Sequence, residues 1–393
     1  MSGRIVTSSS WKELSKQAWC ISLRFGGLWN PYRLVPRQRK STGGKRPKRK
    51  VYHRVFDLDR AMELQKKPSM ILRLVSIIQS QKNRTLLLRD LEKEVGFVQK
   101  WNIIAMIEKY PAIFYVGGGG NSRTPPYVTL SEKAERIAGE EDAARELMEP
   151  ILVERLRKLL MMTVDCRMPL EKIEGVQKEL GLPADFKVKL IPKYPQYFSL
   201  ASFDGINCLS LENWNSTLAV TARETKLASE GVSMTNPSRK MARISRDGNY
   251  PGPFAFKMCY ASGFRPNASF LEVLEKWQKL EFPSPYLNAR RFDAADPKAR
   301  KRVVGVLHEL LSLTVEKRMT VAQLDAFHAE CMLPAKLLLC LVKQHGIFYV
   351  TNKGGRGTVI LKEAYCGSQL LEKCPLLSFN DRFVALCGRR EHT

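Results

Sequence analysis

Apolar residues recur every three or four positions at Leu58, Met62, Leu64, Ile71, Leu72, Val75 and Ile78, a spacing that predicts helix over 57–80. Beyond it the pattern shortens and is stated three times. Residues 86–130 read LLLRDLEKEVGFVQKWNIIAMIEKYPAIFYV, a glycine-rich turn and PPYVTL. Residues 168–211 read MPLEKIEGVQKELGLPADFKVKLIPKYPQYFSL, a turn and INCLSL; residues 319–361 read MTVAQLDAFHAECMLPAKLLLCLVKQHGIFYV, a turn and GTVIL. Each copy follows an apolar-periodic helix and a polar turn that ends in arginine: Arg84, Arg167 and Arg318. Gly96, Pro183 and Pro334 separate a second helix from a third, and Pro111, Pro195 and Gly346 stop the third. Short β-prone runs at 113–116, 197–200 and 347–350 then pair across a turn with 127–130, 207–211 and 358–361. Three helices followed by a two-stranded wing is the winged-helix order. A unit used three times points to a modular binding surface, not to a single catalytic pocket.

The predicted fold is therefore mainly α with small β-hairpins (α+β). Three tandem winged-helix-like repeats, at 57–138, 139–216 and 303–365, are joined by an irregular Pro/Gly-containing connector at 217–302 with one helix, FLEVLEKWQKL at 270–280. Residues 366–393 read as a helical C-terminal tail.

Composition adds a partner to this picture. A chain of 393 residues, 44% hydrophobic, can hold two or three domains with real cores. No stretch approaches the roughly 18 continuous apolar residues of a membrane helix. The net charge of +25 calls for a polyanion, nucleic acid first and an anionic membrane surface second. The excess is uneven, for residues 1–56 hold 14 Lys/Arg against one acid, Glu13. Residues 1–35 are basic, serine-containing and almost free of acids, the composition of an organellar transit peptide; a disordered basic arm of a nuclear or cytosolic protein would look the same. Residues 36–56 form a flexible basic arm whose cations include Arg37, Arg39, Lys40, Lys45, Arg46, Lys48, Arg49 and Lys50. Nine scattered cysteines without a CxxC indicate a reducing compartment and buried thiols.

Catalytic chemistry finds little support. Gly117 to Gly120 join two strands and lack the Gly-Lys-Ser/Thr ending of a phosphate loop, so they read as a wing tip. His328, Cys331, Cys340 and His345 suggest zinc until the copies are aligned. Cys331 then stands where Leu180 and Val95 stand, and Cys340 where Leu190 and Met106 stand, which makes both core positions. No hydrolase, metalloprotease or nucleotide fingerprint occurs. The better candidates are basic and aromatic. Arg84, Arg167 and Arg318, with Lys82 and Lys317, would track phosphates, one cluster per unit. Lys109, Lys193 and Lys343 end the third helices, where a cation also complements the helix dipole. Tyr115, Tyr197 and Tyr349 alternate with the core residues Phe114, Phe198 and Phe348 and would be exposed for base stacking. Arg239, Lys240, Arg243 and Arg246 in the connector would add affinity without sequence preference, or serve only as a soluble linker.

The stretches RLRKLLMMTVDCRMPLEKI, LEKIEGVQKELGLPADFKVKLIPKYPQYFSL, VVGVLHELLSLTVEKRMTVAQLDAF and HGIFYV…GTVILKEAY resemble the plant organelle RNA recognition family over about residues 50–375. The resemblance implies a nucleus-encoded plant protein imported into an organelle, the mitochondrion by this reading and the chloroplast as its alternative. It implies an RNA-binding protein, not an enzyme, that promotes splicing of group II introns without cofactor, metal or small-molecule substrate. Its partners would be organellar RNA and other splicing factors or a maturase, with no membrane insertion. A ribosome-associated assembly factor and a winged-helix DNA binder are the alternatives from other classes.

Overall fold

The computed structural model describes residues 54–95, 103–118, 125–231, 243–293, 295–353 and 356–386. The expected targeting segment, the eight cations at 37–50, and Arg239 and Lys240 lie outside the described residues. The apolar spacing at 57–80 folds as two helices broken at Gln65, α1 (Phe56–Leu64) and α2 (Lys66–Ser80). The first unit continues with β1 (Thr85–Leu87), α3 (Leu91–Val95), α4 (Ile103–Lys109), β2 (Phe114–Gly117) and β3 (Tyr127–Leu130). Helices α5 (Glu132–Ala138) and α6 (Glu141–Met161) lead to β4 (Arg167–Pro169), α7 (Leu170–Gly175), α8 (Gln177–Leu180), α9 (Leu190–Lys193), β5 (Phe198–Phe203) and β6 (Ile206–Leu211). The connector holds α10 (Ala222–Ser229) as well as the expected α11 (Ala268–Lys279). The third unit runs α12 (Pro297–Leu313), β7 (Arg318–Thr320), α13 (Val321–Ala326), α14 (His328–Cys331), α15 (Leu337–Lys343), β8 (Phe348–Thr351) and β9 (Thr358–Leu361). A small pair, β10 (Tyr365–Cys366) and β11 (Gln369–Leu370), and α16 (Pro375–Leu386) follow.

Each unit thus carries a three-stranded antiparallel sheet, ordered β1-β3-β2, β4-β6-β5 and β7-β9-β8, where the sequence pattern shows only a hairpin. The added strand is three residues long, too short for alternation to reveal it. Its register corrects the alignment of the arginines. Thr85 opposes Thr129, Arg167 opposes Ser210 and Arg318 opposes Ile360, so Thr85 is the counterpart of the other two arginines. Arg84 matches Cys166 and Lys317 instead, and these three share a left-handed backbone, with φ of 49°, 51° and 52°. The turn before the strand requires that conformation, not a charge.

The second and third units share one core, which runs from Met148 through Leu307 to Leu361, whereas the first has its own, closed by Phe379 and Phe383 of α16. The pairing has a symmetric signature. Val164 N–H donates to the Glu330 carbonyl (2.8 Å) and Val315 N–H to the Glu179 carbonyl (2.7 Å), each the counterpart of the other. At the same position the first unit has Lys82, an exposed cation that cannot enter such an interface. Gly181, at φ +83°, makes room for it: a Cβ there would lie 2.7 Å from Val315 Cγ2. Gly181→Ala should therefore destabilise the chain by roughly 2–3 kcal/mol in urea denaturation, through backbone strain and overlap together.

The connector is fastened to α12 through buried polar groups. Lys301, fully buried, donates to the carbonyls of Trp277 (2.8 Å), Gln278 (2.9 Å) and Leu280 (2.6 Å) at the end of α11. Burial pushes its ammonium down to about 6, while the three oxygens and the Trp277 and Phe282 rings favour the charged form. Arg302 donates to the carbonyls of Ser284, Pro285 and Leu287. Glu309 accepts from the Tyr286 hydroxyl (2.6 Å) and from Ala222 N–H (2.8 Å), the first residue of α10. A segment short of regular structure thus has its backbone groups partnered by side chains, as buried polar groups require.

Candidate nucleic-acid interface

Cross-strand neighbours on a sheet face the same side. The register therefore sets one transverse row in each unit: Thr85–Thr129–Tyr115, Arg167–Ser210–Ser199 and Arg318–Ile360–Tyr349. The adjacent Phe114, Phe198 and Phe348 are buried, as the alternation predicts. In the first unit the row is open. Tyr115 is 59% exposed, and Lys82, Arg84 and Lys109 are exposed with no carboxylate partner among the described residues.

In the third unit the row is closed, which corrects the reading of Tyr349 and Arg318. Tyr349 and Ile360 are buried against Leu58 and Met62 of α1. Asp59 of α1 accepts from the Tyr349 hydroxyl (3.0 Å), the Thr351 hydroxyl (2.7 Å) and Arg54 (2.5 Å). Arg318 pairs with Glu316 and lies against the Met62 sulfur. Lys317 is half-buried and donates to the Ser312 carbonyl. None of these side chains is left for a phosphate or a base. Burial tends to raise the Asp59 carboxyl, but the hydrogen bonds from Thr351, Arg54 and Tyr349 outweigh it and hold the group below the ordinary range. A depressed folded-state value means that this docking contributes stability above the ordinary Asp value and loses it as pH falls through the lowered one. Asp59→Ala should free α1 at neutral pH, and acidification through the lowered Asp59 value, beneath the ordinary aspartate range, should do the same to the wild type. Amide exchange over residues 56–64 reads both.

The second unit is mixed. Tyr197 is half-buried, with the Arg157 guanidinium 4.0 Å over its ring and Tyr194 stacked against it at 6.2 Å, so it is not the exposed stacking ring expected of it. Lys193 is exposed but paired with Glu149 (2.5 Å), which also accepts from the Tyr194 hydroxyl. Arg167 lies 4.3 Å over Phe203 and 3.5 Å from Asp165; Asp165 also holds Arg290 at 2.9 Å. Sequence reasoning passed over Phe203 and Arg290. The signal for Phe203 was present, since Asp204-Gly205 between apolar residues is the mark of a two-residue hairpin turn.

In the connector, Arg243 and Arg246 are exposed, and Arg243 joins Lys257 and Tyr250 along a cleft of about 500 Å³. Cys331 lies in the core and Cys340 is half-buried against it, and burial pushes their thiols up to about 12 and about 11. No cluster of three or more His, Cys, Asp or Glu suited to a metal occurs among the described residues. No helix among them is long and apolar enough to cross a membrane.

The family model for the plant organelle RNA recognition domain matches residues 53–392. Protein WHAT'S THIS FACTOR 1 homolog, chloroplastic, of Arabidopsis thaliana is 32% identical over 364 residues, which cover 91% of this chain and 67% of the relative. Protein WHAT'S THIS FACTOR 1, chloroplastic, of Zea mays is 31% identical over 332 residues, 84% of this chain and 65% of the relative. Protein WHAT'S THIS FACTOR 9, mitochondrial, of Arabidopsis thaliana is 27% identical over 325 residues, 82% of this chain and 80% of the relative. The chain thus spans about two thirds of the length of these chloroplast relatives. No solved structure matches it.

Proposed function

The chain belongs to the plant organelle RNA recognition domain family, and from that premise we propose that it binds intron RNA in organellar transcripts and promotes group II splicing without catalysing it. The intron performs the phosphoryl transfer; the protein screens phosphate repulsion and holds a productive RNA shape. The observation that carries this reading is the open outer row of the first unit, where Tyr115 is exposed and Lys82 and Arg84, in the turn before β1, are exposed as well. Each unit is read as a winged-helix-like module, at 57–138, 139–216 and 303–365, whose sheet order supplies the wing. The open row of the first unit, the exposed cations of the second and the cations at 37–50 give several linked weak sites, and linkage raises their effective concentration. Duplex DNA is a poorer partner. Helix α4 exposes Ile104, Ala105 and Glu108 beside Lys109, not the polar face that reads base edges.

The site of action is an organelle. The basic, acid-poor N-terminus fits import into the mitochondrion or the chloroplast alike, and the relatives at 31–32% identity bear the word chloroplastic. A fluorescent fusion of residues 1–60 decides between the two compartments. RNA co-purified with the tagged protein from isolated organelles tests the function. Enrichment of one or a few unspliced introns is the expected result; ribosomal RNA alone would replace the splicing reading with that of a ribosome-associated assembly factor.

A further inference from the structure

The second wing differs from the other two in a way that the fold does not need. Strands β5 and β6 run six residues each, against four in β2, β3, β8 and β9. The added length carries Phe203 and Ile206 beyond the core, 37% and 53% exposed. A two-residue turn, Asp204 at φ 51° and Gly205 at φ 77°, closes the tip. Positive φ at both central residues is the turn that matches strand twist, so the tip is a stiff platform. The Arg167 guanidinium lies on the Phe203 ring, and Asp165 ties Arg167 to Arg290, whose side chain is 64% exposed. Asp165 holds both guanidiniums and Asp204 in the turn balances the charge, so the tip offers two partly exposed guanidiniums beside an exposed aromatic ring.

We propose that the tip of the second wing is a subsite for one unpaired RNA nucleotide, whose base stacks on Phe203 and whose phosphate is met by Arg167 and Arg290. The placing of guanidiniums against an exposed ring favours this occupant over a protein helix, since it suits a π-face joined to an anion. The inference rests on the RNA-binding reading and deepens it. It assigns the nucleotide contact to a wing of the second unit, while the equivalent row of the third is covered by α1.

The test uses the full chain and a fluorescein-labelled single-stranded oligouridylate at low salt. Phe203→Ala should weaken binding about ten-fold or more, the scale of one lost base–aromatic stack, and Phe203→Trp should retain it. Phe203 is exposed, so the melting temperature should hold in both variants. Arg167→Ala with Arg290→Ala should weaken binding and flatten its salt dependence. If Phe203→Ala or Phe203→Leu binds as tightly as the wild type, the subsite does not exist, and RNA binding by the rest of the chain stands. If the wild type binds no oligouridylate at low salt, both the subsite and the RNA-binding reading fall.

Discussion

Glu309→Ala is expected to lower the stability of the folded chain by about 3–5 kcal/mol, the scale of a broken buried polar network. The carboxylate is 1% exposed, and both of its oxygens are used. Removing it leaves the buried Tyr286 hydroxyl without its acceptor, strips Ala222 N–H at the start of α10 and leaves a void at a buried position of α12. These losses fall on one point, where α12 meets both ends of the connector. Tyr286→Phe removes one donor only and should cost about 1 kcal/mol. The double variant should then be close to Glu309→Ala alone, since the two groups serve one contact. Urea denaturation of the four proteins gives the coupling. A Glu309→Ala protein as stable as the wild type would mean that the connector is not held this way.

The second large effect concerns affinity. Replacing Arg37, Arg39, Lys40, Lys45, Arg46, Lys48, Arg49 and Lys50 by glutamine should weaken single-stranded RNA binding by about a hundred-fold or more at 100 mM salt. The reason is counterion release. Each phosphate met by a cation contributes about 0.7 to the slope of log K against log salt on a single strand, so eight cations carry most of a steep slope. The variant should bind with a much shallower slope, and the wild type should converge on it as salt rises. An unchanged slope would remove the N-terminal cations from the interface.

The sequence reads best where one physical requirement repeats. Phe114, Phe198 and Phe348 lie in the core because each wing needs an apolar anchor against its helices, and the copies align on that need. The same alignment expects Cys331 and Cys340 in the core; Cys331 is buried there and Cys340 packs half-buried against it. It fails by one residue at Arg84, where the conserved demand is a left-handed backbone that arginine, cysteine and lysine all meet. Tyr349 was misread for a different reason. Alternation fixes which side of a strand a residue faces, not what covers that side, and the cover here is α1, 290 residues away. Lys301 and Glu309 look like the solvated face of a helix, yet both are buried under a connector whose backbone they partner. Local pattern carries no information about such long-range cover.

RNA, chiefly single-stranded, is the proposed partner, held through its phosphates and bases. Filter binding of the full chain to intron-derived single-stranded RNA and to duplex DNA of equal length, from about 50 to 200 mM salt, tests it most directly. RNA should be held at least about ten-fold tighter than the duplex, with an affinity that falls steeply with salt. Equal affinity for both, or no binding at the lowest salt, would contradict it.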